Sequence, residues 1–216
     1  MIVGVIGSGG REHAICSKLN ISKKISKIYC FPGNAGTAEI AVNIDIDLKD
    51  FSNLKKFILK NNIELLIVGP EEPLVNGITD FFDKEKVKVF GPNMLCAKLE
   101  GSKIFTKNIC ENYNIPTAKF GTFSNLKDCI FFLKKNKFPI VIKADGLAAG
   151  KGVSICKNLS EAKKSVEDIF NGKFGEAKKV LIEEFLNGEE MSFFIISDGV
   201  SYKKFGTAQD HKRVFE

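Results

Sequence analysis

The amino-acid sequence predicts an α/β protein in which an open parallel sheet precedes a region of α+β type. Short apolar runs alternate with helical patterns through the first hundred residues, as in parallel sheets covered by helices. Glycine- or proline-rich turns follow most of these runs. After Gly101 the alternation stops and a glycine-rich hairpin pattern appears. We therefore predict two domains, residues 1–101 and 102–216, with a boundary inferred from this change of pattern.

The first region contains four predicted strands separated by helices. Residues 2–6 form a continuous apolar run, as expected for a strand buried on both faces. The helices carry apolar residues at the spacing of one helix face. The predicted strands cover residues 2–6, 27–31, 65–68 and 87–90, and the helices cover residues 11–19, 51–59 and 78–82. Ligands of open α/β sheets bind beyond the carboxyl ends of the strands, so the turns that follow the strands are candidate sites.

The second region mixes helices with strands that lack this regular order. A helix over residues 102–113 stops before Pro116. A strand at 119–123, a helix at 126–135 and a hairpin at 139–156 follow. Ser160 is the expected N-cap of a further helix, and residues 180–185 and 191–197 are predicted strands.

Composition narrows the classes of partner and compartment. The 216 residues are 44% hydrophobic, which supports a substantial core, and the net charge is +6. The lysines are scattered, whereas a nucleic-acid site needs them clustered on one face. No apolar run approaches the ~20 residues of a membrane span, and the N-terminus lacks a signal-peptide pattern. The scattered lysines and the short apolar runs therefore predict neither nucleic-acid nor membrane partners. Six cysteines without a C-x-x-C pair favour reduced, buried thiols in a cytoplasmic protein.

The predicted hairpin of the second region has the pattern of a polyphosphate-binding loop. Its first strand carries Lys143, and the loop supplies Gly146, Gly150, Lys151 and Gly152. Small residues allow close backbone approach, and amides with lysines supply positive potential. The spacing excludes a Walker P-loop, because only three residues separate the first two of these glycines and a glycine follows the loop lysine. The alternative is an ordinary glycine-rich turn with two solvated lysines.

Acidic and apolar residues after residue 182 suit a purine slot. Glu183 can accept from an exocyclic amine, and the backbone from Glu184 through Phe185 to Leu186 can pair with a ring edge. Glu190 can accept from two ribose hydroxyls. The alternative is a charged hairpin tip.

The N-terminal glycine turn suits a single phosphate. Gly9 and Gly10 open a helix, whose N-terminus attracts anions, and Arg11 can grip a phosphate. A dinucleotide fingerprint is disfavoured, since Glu12 stands where its third glycine belongs and Lys27 occupies the region of its acidic residue. This argues against a dinucleotide oxidoreductase. The alternative for the glycines is a tight βα turn.

Two more turns follow predicted strands and carry polar residues. Asn34 and Thr37 could contact a ribose or phosphate, and an ordinary surface loop explains them nearly as well. After the third strand, the turn that begins with Gly69 and Pro70 carries the carboxylates of Glu71 and Glu72, which could receive an amine or hydroxyls. Exposed acids in a turn are the alternative there.

Taken together, these motifs resemble a known family. Lys-Ala-Asp-Gly-Leu-Ala-Ala-Gly-Lys-Gly and the later Glu-Glu-Phe-Leu-Asn-Gly-Glu-Glu resemble the ATP-grasp superfamily. Gly-Ser-Gly-Gly-Arg-Glu-His, Pro-Gly-Asn-Ala-Gly-Thr, Val-Gly-Pro-Glu-Glu-Pro-Leu, Leu-Glu-Gly-Ser-Lys and Gln-Asp-His-Lys-Arg narrow this to the phosphoribosylamine–glycine ligase family, also called glycinamide ribonucleotide synthetase. The resemblance runs in register from residue 2 to residue 214. It implies a Rossmann-like, pre-ATP-grasp first domain and an incomplete ATP-grasp second domain.

The resemblance also implies a reaction and roles. ATP would activate glycine as an acyl phosphate, which the amine of 5-phosphoribosylamine then attacks. The implied ATP contacts are Lys103, Lys143, Gly146 to Gly152, Glu183 to Leu186, and Glu190. The implied phosphoribosyl contacts are Gly9, Gly10, Arg11, Asn34 and Thr37, and the residues facing the acceptor are Asp210, His211, Lys212 and Arg213.

The family pattern also implies Mg²⁺ or Mn²⁺ with ligands beyond Glu216, so no metal ligand is expected in this chain. We therefore expect a shortened form of a longer protein, without significant ligase activity alone. Two alternatives stay open: a nucleotide- or sugar-phosphate-binding module without chemistry, and another ATP-grasp ligase that joins a carboxylate to an amine.

Overall fold

The structure is a computed structural model that describes residues 1–147, 152–175 and 179–209. The predicted fold class is confirmed: an open parallel sheet is followed by helices and antiparallel strands. The sheet of the first region has five parallel strands in the order β3-β2-β1-β4-β5. These strands are β1 (Ile2–Gly7), β2 (Lys27–Pro32), β3 (Val42–Asn43), β4 (Leu65–Val68) and β5 (Lys88–Phe90).

Strand β1 lies at the centre of this sheet, which explains its continuous apolar run. Val3 and Val5 contribute to a core on one face, and Ile6 to a core on the other. A strand with covered faces on both sides has no solvent side that would call for alternating polar residues. Because β1 pairs parallel with both β2 and β4, the carboxyl ends of these three strands meet at one edge of the sheet, where the predicted turns lie together.

The α-helices of the first region are α1 (Gly10–Asn20), α2 (Phe51–Lys60), α3 (Glu71–Val75), α4 (Ile78–Phe82) and α5 (Met94–Gly101). The sequence did not predict α3 and α5. Helix α2 follows its apolar pattern, with Leu54 and Ile58 fully buried and Asp50 capping the amide of Asn53. The acidic turn expected after β4 is instead the first turn of α3. Within the described part of the chain, no helix has both the length and the apolar character needed to cross a bilayer.

The second region is built on a four-stranded antiparallel sheet in the order β6-β9-β7-β8. The predicted hairpin is confirmed, since β7 and β8 pair antiparallel from Ile140 opposite Cys156 to Lys143 opposite Val153. The strands are β6 (Phe120–Phe123), β7 (Ile140–Ala144), β8 (Val153–Cys156) and β9 (Val180–Glu184), and the helices are α6 (Lys103–Asn112), α7 (Leu126–Leu133) and α8 (Leu159–Phe170).

The two faces of this sheet have different neighbours. Ile142 and Ile182 point to the face that packs against α7 and α8, whose buried residues include Leu133 and Val166. Lys143 and Leu181, which are one position removed along their strands, therefore point to the opposite face. The sheet thus presents one apolar face to the helices and one mixed face to a cleft.

Helix α8 begins earlier than expected. The expected N-cap at Ser160 is wrong, because the side chain of Asn158 accepts from the amide of Glu161 at 3.0 Å and the helix starts at Leu159. Glu161 in turn accepts from the amide of Lys157 at 2.8 Å. The helix N-terminus is therefore satisfied two residues before the serine.

A separate antiparallel hairpin follows β9. It consists of β10 (Met191–Ser197) and β11 (Tyr202–Gln209), of which β11 was not predicted. Phe193, Ile195 and Phe205 all expose more than half of their surface. In the described part of the chain this hairpin is a solvated two-stranded ribbon.

The six cysteines are free thiols, and four of them are buried, as predicted. Cys129 lies in the core beside α8, and burial raises its pKa to about 12. Burial likewise raises the pKa of Cys156. A thiol held protonated in an apolar core is a weak nucleophile, so these two residues serve packing.

Candidate functional site

A cleft of about 1450 Å³ lies between the turn after β4 and the mixed face of the second sheet. Its walls come from both regions of the chain, which brings together residues predicted from separate motifs. Predicted site residues that line it are Pro70, Glu71, Lys103, Lys143, Gly146, Gly152, Glu183, Glu184, Phe185, Leu186 and Glu190.

The centre of the cleft floor is a buried carboxylate between two ammonium groups. Glu183 is 5% exposed; one of its oxygens pairs with Lys143 Nζ at 2.5 Å and the other pairs with Lys107 Nζ. Burial alone would raise the pKa of Glu183, but hydrogen bonds from the two lysines outweigh it and hold that pKa below its usual value. The predicted acceptor for an exocyclic amine is therefore already engaged by two cations.

Lys107 is a site residue that the sequence reasoning missed. It lies one helical turn after Lys103 on α6, so both side chains share the helix face that borders the cleft. Its ammonium also donates to Thr117 Oγ1 at 2.6 Å and to the carbonyl of Ala118 at 3.2 Å. The i, i+4 spacing of the two lysines is the signal that could have found it.

The start of α6 is tied to the end of β7. The carboxylate of Asp145 accepts from Ser102 Oγ at 3.1 Å and from the amide of Ile104 at 3.1 Å, and Lys103 Nζ donates to the carbonyl of Gly146 at 2.8 Å. Burial lowers the pKa of Lys103 despite the nearby Asp145 carboxylate. These contacts bring Lys103 beside the predicted phosphate loop.

The cleft also has apolar walls that suit a flat ring. Val141 and Ile155 lie on neighbouring strands of the sheet, and Phe185 and Leu186 follow the end of β9. The carboxylate of Glu184 accepts from the amide of Lys119 at 2.9 Å, so this side chain fixes the strand end. The backbone from Glu184 to Leu186 lies at the rim, where the sequence predicted pairing with a ring edge.

In the first region, a buried glutamate shapes the N-terminal glycine turn. Glu12 is 3% exposed, and its carboxylate accepts from the amide of Gly9 at 2.7 Å. A Cβ added to Gly7 or Gly69 would lie 2.6 Å or 2.0 Å from the side chain of Glu12. Gly7 and Gly69 therefore leave room for the Glu12 side chain that a Cβ would occupy. The sequence did not predict this role of Glu12.

Arg11 lies next to this turn and is balanced by two carboxylates. Its Nε donates to Glu12 at 3.2 Å, and its Nη1 and Nη2 donate to Glu71 at 3.2 and 3.3 Å. Arg11 and Glu71 were predicted from different motifs, and the structure places them in contact. Glu71 is half-exposed, so an incoming anion would compete with it rather than with buried Glu12.

The turn after β2 is held together by its own polar groups. Thr37 is fully buried, and its hydroxyl donates to Asn43 at 2.8 Å and accepts from the amide of Asn34 at 2.7 Å. The side chain of Asn34 donates to the carbonyls of Ser8 and Gly9. These residues join the turn after β2 to the glycine turn after β1, and their contact with a ligand stays a prediction.

Some predicted site residues cannot be placed. Gly150, Lys151, Asp210, His211, Lys212 and Arg213 lie outside the described residues. Across residues 1–147, 152–175 and 179–209, no three His, Cys, Asp or Glu side chains are grouped so as to hold a metal ion.

The parallel sheet, the antiparallel sheet after it and the lysine-lined cleft define a protein of the ATP-grasp class. Within that class, the chain belongs to the phosphoribosylglycinamide synthetase family. The family model of the N domain matches residues 1–100, and that of the ATP-grasp (A) domain matches residues 101–216.

Curated relatives are similar along this whole chain. Phosphoribosylamine–glycine ligase of Mesorhizobium japonicum is 47% identical over 215 residues, and that of Brucella melitensis is 49% identical over 215 residues. In both alignments 99% of this chain is covered, against 51% and 50% of the relative. The chain therefore spans about half the length of the curated relatives that it matches.

Solved structures agree with this assignment. Phosphoribosylamine–glycine ligase of Thermotoga maritima superposes with a TM-score of 0.81 at 33% identity, covering 99% of this chain and 51% of that one. The biotin carboxylase domain of 2-oxoglutarate carboxylase from Hydrogenobacter thermophilus superposes with a TM-score of 0.77 at 17% identity, covering 95% and 49%. The second likeness concerns the fold alone.

Proposed function

We propose that this chain supplies the nucleotide-binding and phosphoribosyl-binding surfaces of a ligase that joins glycine to 5-phosphoribosylamine. The products of this ATP-dependent reaction are glycinamide ribonucleotide, ADP and phosphate. The curated relatives named phosphoribosylamine–glycine ligase support the reaction. The observation that carries the proposal is the cleft in which Lys103 and Lys143 face Glu71 from the other region.

ATP is proposed to bind along the mixed face of the second sheet. Lys103 and Lys143 would contact the phosphates, since ammonium groups in a partly buried cleft attract polyanions strongly. The apolar walls would hold adenine, with the backbone after Glu184 pairing with the ring edge. Glu190, at the cleft lining, would accept from the ribose hydroxyls.

The phosphoribosyl group is proposed to bind at the carboxyl edge of the first sheet. Its phosphate would lie at the start of α1, near Gly10, and Arg11 would exchange Glu71 for this phosphate. The released carboxylate of Glu71 could then receive the amine. The contacts predicted for Asn34 and Thr37 belong to the same edge.

In the proposed chemistry, a carboxylate oxygen of glycine attacks the γ-phosphorus of ATP, and ADP leaves. The amine nitrogen of phosphoribosylamine then attacks the acyl carbon, and phosphate leaves with the electron pair of the broken C–O bond. The described residues would contribute positioning and neutralisation of charge, which are large terms in such reactions. Asp210, His211, Lys212 and Arg213 are proposed to face the acceptor.

The family implies magnesium as a further participant. Among the residues that the structure describes, no three His, Cys, Asp or Glu side chains converge to form a metal cage, and Mg²⁺ at nucleotide sites is usually held by one or two carboxylates and the phosphates. The proposal therefore routes no step through a metal and rests on the lysines of the chain.

Titration calorimetry with ATP tests the proposal. The Lys143→Ala variant is expected to lower ATP affinity roughly 10- to 100-fold, the range expected when a hydrogen bond to a charged group is lost. Lys127→Ala, which removes the same charge from an exposed site on α7, is the matched control and should change nothing. Unchanged ATP affinity in Lys143→Ala would contradict the assignment. In the same samples, no ADP release above background is expected from the chain alone with glycine and phosphoribosylamine.

A further inference from the structure

The two lysines that hold Glu183 are not equivalent. Both line the cleft, but the side chain of Lys107 is 10% exposed, whereas that of Lys143 is 30% exposed. Both pair with the same carboxylate, one to each oxygen. We call Lys107 the inner lysine and Lys143 the outer one, because the larger exposed fraction of Lys143 makes it the more accessible of the two to a ligand.

The donors of the inner lysine are fully used. An ammonium group has three protons, and Lys107 has three acceptors: Glu183, the hydroxyl of Thr117 and the carbonyl of Ala118. Its Nζ also lies 5.3 Å from the centre of the Phe120 ring, which favours a cation. Lys107 is thus held in one position from several sides.

The outer lysine is held from one side within the described part of the chain. There its acceptor is Glu183, at 2.5 Å, which leaves two of its three protons for the cleft. The direction of the Lys143 ammonium therefore depends on how strongly Glu183 attracts it.

Removing the charge of Lys107 would change how strongly Glu183 attracts the ammonium of Lys143. With Lys107 present, two cations share one carboxylate, and the group keeps a net positive charge toward the cleft. Without it, a buried carboxylate faces Lys143 alone, and such a charge binds its remaining partner more tightly because burial makes an unpaired charge costly. Lys143 would then be drawn inward, and the positive potential at the cleft would fall.

We propose that Lys107 is a positioning residue which, by sharing the charge of Glu183, keeps the ammonium of Lys143 available to the phosphates of a nucleotide. This inference rests on the proposed binding of ATP in the cleft. It separates the tasks of the two lysines: Lys143 contacts the ligand, and Lys107 acts only through Glu183.

The test compares ATP with adenosine, because only ATP needs the Lys143 ammonium. In the 216-residue chain, Lys107→Met should weaken ATP binding roughly 10-fold or more, as expected for weakening a charge-assisted hydrogen bond, and leave adenosine affinity unchanged. Lys164→Met removes the same charge from an exposed position on α8 and should change neither. Circular dichroism checks that each variant folds.

A second variant tests the route through Glu183. In Lys107→Met/Glu183→Gln the unpaired carboxylate is gone and the amide oxygen remains an acceptor, so ATP should bind more tightly than it does to Lys107→Met and to Lys143→Ala. If Lys107→Met does not fold, this double variant, which buries no unpaired charge, carries the test alone.

Several results would overturn the inference. These are an unchanged ATP affinity in folded Lys107→Met, an equal loss of ATP and adenosine binding, or a double variant that binds ATP as weakly as Lys143→Ala. If the unmutated chain binds neither ATP nor adenosine, the proposed function fails first and the inference fails with it.

Discussion

The two proposed phosphate-binding regions of this molecule differ in how their charges are balanced. At the edge of the first sheet, one cation, Arg11, is matched by two carboxylates. In the cleft of the second region, three ammonium groups, those of Lys103, Lys107 and Lys143, face the carboxylates of Glu183 and Asp145. This cluster thus carries one net positive charge before any ligand arrives, whereas the edge must give up an internal contact to bind an anion.

This difference suggests different costs of binding. A polyphosphate entering the cleft meets the ammonium of Lys143, which keeps two protons beside its contact with Glu183, so no ion pair has to break. A phosphate at the first sheet must displace Glu71 from Arg11, and the exposed pair that it breaks is worth little. Arg11 can therefore exchange Glu71 for a phosphate at little cost in free energy, while buried Glu12 maintains the conformation of the glycine turn.

The largest expected effect concerns that buried glutamate. Gly69→Ala would place a Cβ 2.0 Å from Glu12 Oε1, so we expect a loss of about 3 kcal/mol in the free energy of unfolding. Urea denaturation followed by circular dichroism measures it.

A double-mutant cycle supplies the control. In the Glu12→Ala background the obstructing carboxylate is absent, so adding Gly69→Ala should cost less than about 1 kcal/mol. Additive costs would show that Glu12 does not fix this edge, and the contrast between the two regions would lose its structural basis.

The second-largest expected effect is a loss of affinity for one ligand but not for the other. Arg11→Ala should weaken binding of ribose 5-phosphate roughly 10- to 100-fold, because a bidentate charged contact is lost, and leave ATP affinity unchanged. Titration calorimetry with each ligand measures this. Equal losses for both ligands would mean that the two sites are wrongly placed.

Glu71→Gln is the matched variant, and its expected effect on ribose 5-phosphate affinity has the opposite sign. It keeps the shape of the side chain but frees Arg11 from a competing charge, so ribose 5-phosphate should bind as tightly as before or a few-fold more tightly. Weaker binding would show that Glu71 serves the ligand directly.

The smallest expected effect is a pH dependence of ATP binding. Burial lowers the pKa of Lys103, so this residue loses its proton at a lower pH than an exposed lysine. Since ATP favours the charged form, its affinity should fall as the pH rises through that lowered pKa, at pH values below 10.5. Lys103→Arg should flatten this part of the profile, because guanidinium keeps its proton. A profile identical in both proteins would contradict the role of Lys103.

Local patterns in the sequence were enough to predict much of the fold. The apolar run of β1, the helix face of α2 with Leu54 and Ile58, and the hairpin of β7 and β8 all follow from spacing within one segment. Strand β3 has two residues and helix α3 has five, which is too short for a period to appear. These elements exist because the surrounding sheet supports them.

The candidate site was predictable only in part, for a similar reason. Lys143 and Glu183 stand in motifs whose residue types already suggest a nucleotide. Lys107, Asp145 and Glu12 owe their roles to atoms far away along the chain: a carboxylate on β9, the start of α6 and a glycine after β4. Such roles appear only once the chain is folded.

The most direct test of the account is whether the chain binds both ligands at once. Titrating ATP into the chain saturated with ribose 5-phosphate should give one ATP per chain, with an affinity at least equal to that without the sugar phosphate. The reverse titration should likewise give one ribose 5-phosphate per chain. Competition between the two ligands, or a loss of ribose 5-phosphate binding in Lys143→Ala rather than in Arg11→Ala, would contradict the assignment of a separate site to each region.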